Sequence, residues 1–267
     1  MKRFREKVCV VTGATNGIGY QIAYDFAKEG ATVYNLDRVA PSHIETGFLD
    51  ALLTDIYHHE VEIPNKSLKI RYISCDLRSE KEIENAIRQI IDEAGEVDYL
   101  INNACYSNKG LISGCDFEKF NDVLKVGVTA PYLLTKGFMP VFKPGASIVN
   151  IASTRGYMSQ RDTESYSAAK GGILSLTHAM SISLAGKVRV NAISPGWIDT
   201  TKGQFSTEDH HQHPAGRIGK PKDISRLVRF LCSREAGFIT GENITIDGGM
   251  TKQMIYHGDE GWRYSED

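Results

Sequence analysis

Lys7-Val-Cys-Val-Val-Thr12-Gly13-Ala-Thr-Asn-Gly17-Ile-Gly19 is the stretch whose reading decides the fold. Its first six residues are a short apolar run of the kind that forms a buried strand. The run enters a glycine-rich turn, and a helical pattern follows, with Ile18, Ile22 and Phe26 four residues apart and Gly30 as its stop. Gly13, Gly17 and Gly19 let the backbone turn tightly, approach a pyrophosphate and pack helix against strand, while the helix N-terminus offers free N–H groups and positive dipole. Strand, glycine loop and helix in that order predict a dinucleotide site, with Thr15, Asn16 and Ile18 inside the turn.

Working outward, residues 32–36 read as the next strand and end at Asp37, eighteen residues after Gly19. That is close to the spacing of an acidic ribose ligand. A carboxylate there accepts bonds from ribose hydroxyls and repels a 2′-phosphate, so NAD is favoured over NADP. Arg38 is the one neighbour that argues the other way. Residues 48–57 carry an amphipathic helical pattern, and Pro64-Asn65 closes that region. A strand is expected over 68–75, leading to Asp76-Leu77, and a helix over 79–94 with Ser79 as its N-cap. Another strand, 97–101, runs into Asn102-Asn103-Ala104-Cys105 at what would be the carboxyl edge of a parallel sheet. Helices over 116–138, from Tyr166 to about 184 and over 223–232 alternate with strands over 147–151, 188–193 and 243–246. Such alternation predicts an α/β fold, a doubly wound parallel sheet of about seven strands with right-handed crossovers.

Size and charge narrow the function. At 267 residues and 41% hydrophobic composition, the chain is expected to form a single domain over 1–267 with a C-terminal tail from about 250. A formal charge of −2 gives no basic field for nucleic acid or acidic lipid. The apolar run after the charged first residues is too short for a signal peptide or a membrane span, so a cytoplasmic location is expected. Five scattered cysteines without Cys-x-x-Cys spacing indicate neither disulfide framework nor zinc site. His210, His211 and His213 lie in a polar segment over 201–216 that reads as a lid rather than a metal site, so no metal is expected.

The chemistry is expected at Tyr166 and Lys170, four residues apart and therefore on one helix face. A phenol titrates too high for efficient base catalysis at neutral pH, but a neighbouring ammonium favours the phenolate. Ser153 lies thirteen residues before Tyr166, at the tip of a strand.

These motifs together resemble the short-chain dehydrogenase/reductase family, over residues 7–249. The resemblance rests on Thr12-Gly13-x-x-x-Gly17-Ile18-Gly19, Asp76, Asn102-Asn103-Ala104, Ser153, Tyr166-x-x-x-Lys170, Pro195-Gly196-x-x-x-Thr200 and Asp247-Gly248-Gly249. It implies a Rossmann-type sheet of order 3-2-1-4-5-6-7, a nicotinamide cofactor, a small-molecule substrate, and a homotetramer or homodimer. By the family's pattern Tyr166 transfers the hydroxyl proton, Ser153 binds the substrate oxygen, and Lys170 holds the nicotinamide ribose. Asp37, Arg38, Asp76 and Leu77 would lie at the adenosine end, Asn103 and Ala104 beside the glycine turn, and Pro195, Gly196, Ile198 and Thr200 along the nicotinamide.

The sequence departs from the pattern twice, with Gly127 where the family commonly has Asn and Cys105 where it commonly has Gly. Pro131, four residues after Gly127, has no N–H and cannot bond the Gly127 carbonyl; the resemblance implies that a main-chain carbonyl at this position holds a relay water, so the relay is expected to run through the backbone. A second reading follows from the missing Asn: a dinucleotide-sensing or scaffold protein without turnover. A serine hydrolase built on Ser153 fits poorly, because the residues around it lack a Gly-x-Ser-x-Gly elbow. Substrate contacts are expected from 106–112, 155–164 and the segment after Thr200. Tyr157, Met158, Trp197 and Phe205 would form apolar wall, and Arg155, Gln160, Arg161 and Glu164 would orient polar groups. That mixture suits a sugar or polyol, or a hydroxysteroid. Tyr256, Trp262 and Tyr264 in the tail would cover either a subunit interface or the protomer's own surface.

Overall fold

The computed structural model describes residues 2–39, 68–201, 203–256 and 258–259. The helical pattern over 48–57, Trp262 and Tyr264 lie outside them. The strands are β1 Val8–Thr12, β2 Thr32–Asp37, β3 Ile70–Ser74, β4 Val97–Asn102, β5 Phe142–Ile151, β6 Val188–Pro195 and β7 Asn243–Ile246. They form one seven-stranded sheet of order β3-β2-β1-β4-β5-β6-β7, and every pair is parallel. This is the single-domain Rossmann-type fold that the alternation predicts. β1 pairs with both β2 and β4, through Cys9 opposite Val33 on one side and Tyr99 on the other. The strand order reverses there, and open α/β sheets bind ligands at such a switch point.

Helices cover both faces. On one, α1 (Gly17–Lys28) and α7 (Pro221–Leu231) bury Ile22, Phe26, Ile224 and Val228 against Val11, Ile101 and Val149. On the other, α2 (Glu80–Ala94), α4 (Ala130–Phe138) and α5 (Glu164–Ser183) set Ile83, Ile90, Leu134, Phe138 and Met180 against Val10, Leu100 and Ile148. Between α2 and α4 lies α3 (Phe117–Leu124). Ser79 caps α2 by accepting the Glu82 N–H.

β5 and the helix expected over 116–138 depart from the sequence reading. β5 begins at Phe142, before the expected start, and Val97 pairs with Phe142 ahead of a register shift to Tyr99–Ser147. Gly145 adopts φ 81 within the strand, and the irregular ladder absorbs it. The expected helix over 116–138 is interrupted by a π turn, Lys125–Thr129, in which the Ala130 N–H returns to the Lys125 carbonyl. Pro131 supplies the reason, since an α-helical bond to the Gly127 carbonyl is impossible there.

Candidate active site

The glycine turn is held by side chains from neighbouring strands. Asn103, at the end of β4, donates through Nδ2 to the Thr12 and Gly13 carbonyls, both at 3.0 Å. Thr12 Oγ1 returns the clamp by accepting the Asn103 and Ala104 N–H groups. From β2, Asn35 Oδ1 accepts the Ala14 N–H at 3.0 Å and Asp37 Oδ2 the Thr15 N–H at 3.2 Å. Gly13 and Gly17 adopt φ 65 and 56, a region that only glycine enters freely. A Cβ on Gly19 would stand 2.3 Å from the Gly13 carbonyl oxygen. The first turn of α1 contains no acidic residue, and Asn16 makes no side-chain cap. Its N–H groups thus face the cleft without a competing carboxylate, the arrangement that holds a phosphate.

Asp37, Arg38, Asp76 and Leu77 line the same cleft, whose volume is about 540 Å³. So does Arg78, which the sequence reading passed over. Its Nε donates to both Asp76 carboxylate oxygens at 2.9 and 3.0 Å, and its Nη1 reaches Asp122 at 3.3 Å. This bidentate bond holds the Asp76 carboxyl below the usual aspartate range. An arginine two residues after the acid was the only signal in the sequence.

At the far end of the cleft Ser153 leaves the tip of β5 and starts a tight turn, Thr154–Gly156. A Cβ on Gly156 would sit 2.9 Å from the Lys170 carbonyl oxygen, so this glycine lets the turn pack on α5. Tyr166 and Lys170 lie on α5, where helical spacing predicts them. Lys170 is 4% exposed. Its Nζ donates to the Ile151 carbonyl at 2.6 Å and stands 5.4 Å from the Tyr166 ring centroid. A buried polar chain fixes α5 to the sheet: Asn102 donates to Asn150, Asn150 to Thr177, and Thr177 to the Ile173 carbonyl. Pro195, Gly196, Ile198 and Thr200 line the same cleft.

Of the expected substrate contacts only Tyr106 lines the cleft, whereas the expected catalytic and cofactor residues all do, apart from Thr15 and Gly19. Those two stand behind the turn and shape it. The two departures from the family pattern prove to be one feature. A Cβ at Gly127 would lie 2.9 Å from Ala169 Cβ and 3.1 Å from Cys105 Sγ, so the Cys105 thiol and α5 fill the space a side chain at 127 would need.

The polar segment over 201–216 is more ordered in pattern than a plain lid. It forms α6 (Thr207–His211), closed by a Ser206–Asp209 capping box. His213 is 1% exposed, with Nδ1 3.1 Å from the Asp209 carbonyl, so it packs inside rather than facing solvent. On the opposite rim, Asp162 Oδ1 accepts the Ile112 and Ser113 N–H groups and Glu164 Oε2 accepts that of Leu111. These carboxylates tie one expected substrate segment to the start of α5.

Burial pushes the Cys9 thiol well up, and the Cys75 and Cys232 thiols to about 12. Cys105 and Cys115 are half-buried, and Cys105 lines the cleft. Iodoacetamide is expected to label Cys105 and Cys115 ahead of the other three, and NAD to slow labelling of Cys105 alone, as read by peptide mass spectrometry.

The chain is similar to known proteins along nearly its whole length. The family profile described as enoyl-(acyl carrier protein) reductase matches residues 13–251. An uncharacterized oxidoreductase of Thermotoga maritima is 39% identical over 263 residues, covering 94% of this chain and 98% of that protein. A 3-oxoacyl-(acyl-carrier-protein) reductase of the same organism is 30% identical, covering 93% and 99%. Among solved structures, an apo SCOR enzyme from Clostridium thermocellum superposes with TM-score 0.84 at 39% identity and full coverage of both chains. The aldohexose dehydrogenase of Thermoplasma acidophilum gives 0.81 at 28% identity, covering 97% of this chain and 99% of that one. Among the described residues no helix is long and apolar enough to cross a membrane. With a glycine turn, a β5 serine and a Tyr-Lys helix face in one cleft, and with relatives matched along nearly their whole length, this chain is an oxidoreductase of the short-chain dehydrogenase/reductase family.

Proposed function

We propose that the protein is an NAD-dependent oxidoreductase that interconverts a secondary alcohol and its ketone, with Tyr166 as acid and base. The observation that carries this reading is the meeting of Tyr166, Lys170 and Ser153 at one end of a cleft whose other end carries Asp37. The residues fit a dinucleotide: the close-packed glycine turn leaves a cradle that a Cβ would fill, and the first turn of α1 faces it with unopposed N–H groups. Bound there, the nicotinamide would accept or supply the hydride.

In the oxidising direction Tyr166 Oη takes the hydroxyl proton while Ser153 Oγ donates to the same oxygen and keeps it oriented. The hydride leaves the carbinol carbon with its two electrons, and the C–O bond becomes a carbonyl. Lys170, tied to the Ile151 carbonyl, places a positive charge beside the ring as the phenol changes charge. Gly127 leaves the relay to the main chain: its carbonyl, which Pro131 cannot bond, would hold the water that passes protons to Lys170.

Asp37 supports NAD over NADP. Its two oxygens already accept the Thr15 and Val39 N–H groups, which fix the carboxylate where a ribose 2′-phosphate would meet it. Asp37→Ser is expected to erase a preference for NAD of about a hundredfold, read as the ratio of NAD to NADP dissociation constants. An unchanged ratio would assign cofactor choice elsewhere, Arg38 first. A homotetramer or homodimer in the cytoplasm completes the reading.

A further inference from the structure

We infer that the substrate carries an anionic group, a carboxylate or a phosphate ester, which Arg155 binds beside the reacting carbon. The inference rests on the reading of Tyr166 as the group that meets the substrate hydroxyl. Arg155 stands two residues after Ser153, whose Oγ accepts its N–H at 3.2 Å. Its guanidinium lies over the Tyr166 ring, with Cζ 5.8 Å from the centroid. The charge therefore stands over the face of the ring whose hydroxyl meets the substrate.

What faces this charge is neutral. The Arg155 guanidinium donates to Gln160 Oε1, and among the described residues no carboxylate lies within ion-pair distance of it. The nearest acids in sequence are committed elsewhere, Asp162 to the Ile112 and Ser113 N–H groups and Glu164 to that of Leu111. Arg155 is half-buried as a residue, and its guanidinium, bonded to a neutral amide, keeps open donors in a fork geometry that matches a carboxylate or phosphate. An uncharged sugar or a steroid ring offers it no counter-charge. The anionic group takes no part in the hydride step and remains unchanged in the product.

Two readouts separate this claim from the one it rests on. Turnover is followed with NAD on pairs that differ only in charge: β-hydroxybutyrate against β-hydroxybutyramide, and glycerol phosphate against glycerol. Binding is followed by calorimetry of acetoacetate against acetoacetamide, and of dihydroxyacetone phosphate against dihydroxyacetone, on the enzyme–NADH complex. The anion is expected to be preferred by roughly ten- to a hundredfold in one pair, which identifies carboxylate or phosphate. Arg155→Ala is expected to remove that preference through KM, with NADH affinity unchanged, and Arg155→Lys to restore part of it. Tyr166→Phe is expected to stop turnover and keep the anion preference in binding. Equal binding of charged and neutral partners, or a preference that survives Arg155→Ala, overturns the anion site. Selective binding through Arg155 in a wild-type protein that turns nothing over supports the anion site and contradicts the role given to Tyr166.

Discussion

Phe in place of Tyr166 lowers turnover by about a thousandfold, the scale of a lost general acid–base group, while leaving NAD affinity and thermal stability close to wild type. The substitution removes one oxygen from a half-buried ring. The ring keeps its place between Arg155 and Lys170, whose charged groups stand 5.8 and 5.4 Å from its centroid. Lys170 does not replace the lost proton partner, because its ammonium is committed to the Ile151 carbonyl, and Ser153 is left to orient the oxygen. Steady-state kinetics on an alcohol that the wild type oxidises, together with a thermal melt, check the result. Turnover within threefold of wild type would place the proton chemistry on another group.

The second large effect is at Gly19. Ala there puts a methyl 2.3 Å from the Gly13 carbonyl oxygen and 2.5 Å from Asn103 Nδ2. Both are parts of the clamp that shapes the turn, and the nearer is backbone, so the chain itself must shift. Overpacking of this kind costs about 3 kcal/mol, and the turn that opens no longer presents its N–H groups together. Dinucleotide affinity is expected to fall more than a hundredfold and the melting temperature to drop with it. A variant that melts like wild type and binds NAD normally would show that the close approach of Gly19 to the turn is not needed.

These two positions were legible because the chemistry behind them is local. A strand, a glycine loop and a helix in sequence order fix where a phosphate goes, and a four-residue step fixes that Tyr166 and Lys170 share a face. The sheet order came from the alternation of elements together with the family resemblance. What stayed hidden depends on residues far apart in the chain. Arg78 looked like any surface arginine until its bonds to Asp76 and Asp122 crossed from β3 to α3. Gly127 and Cys105 looked like two separate departures, and only the packing of α5 against the π turn shows that one makes room for the other. The early start of β5 is not legible because Pro144 and Gly145 are poor strand residues, although the ladder tolerates them. His213 read as part of a wet lid because polar neighbours surround it in the chain, and its burial under the loop after β7 is a tertiary fact.

Diffraction from crystals grown with NAD and a tight-binding alcohol tests the whole account at once. The pyrophosphate is expected on the first turn of α1, the adenosine ribose on Asp37, and the nicotinamide ring beside Tyr166 and Ser153 with the alcohol oxygen between those two hydroxyls. A dinucleotide bound elsewhere, or one bound in the cleft with its nicotinamide turned away from Tyr166, would contradict it.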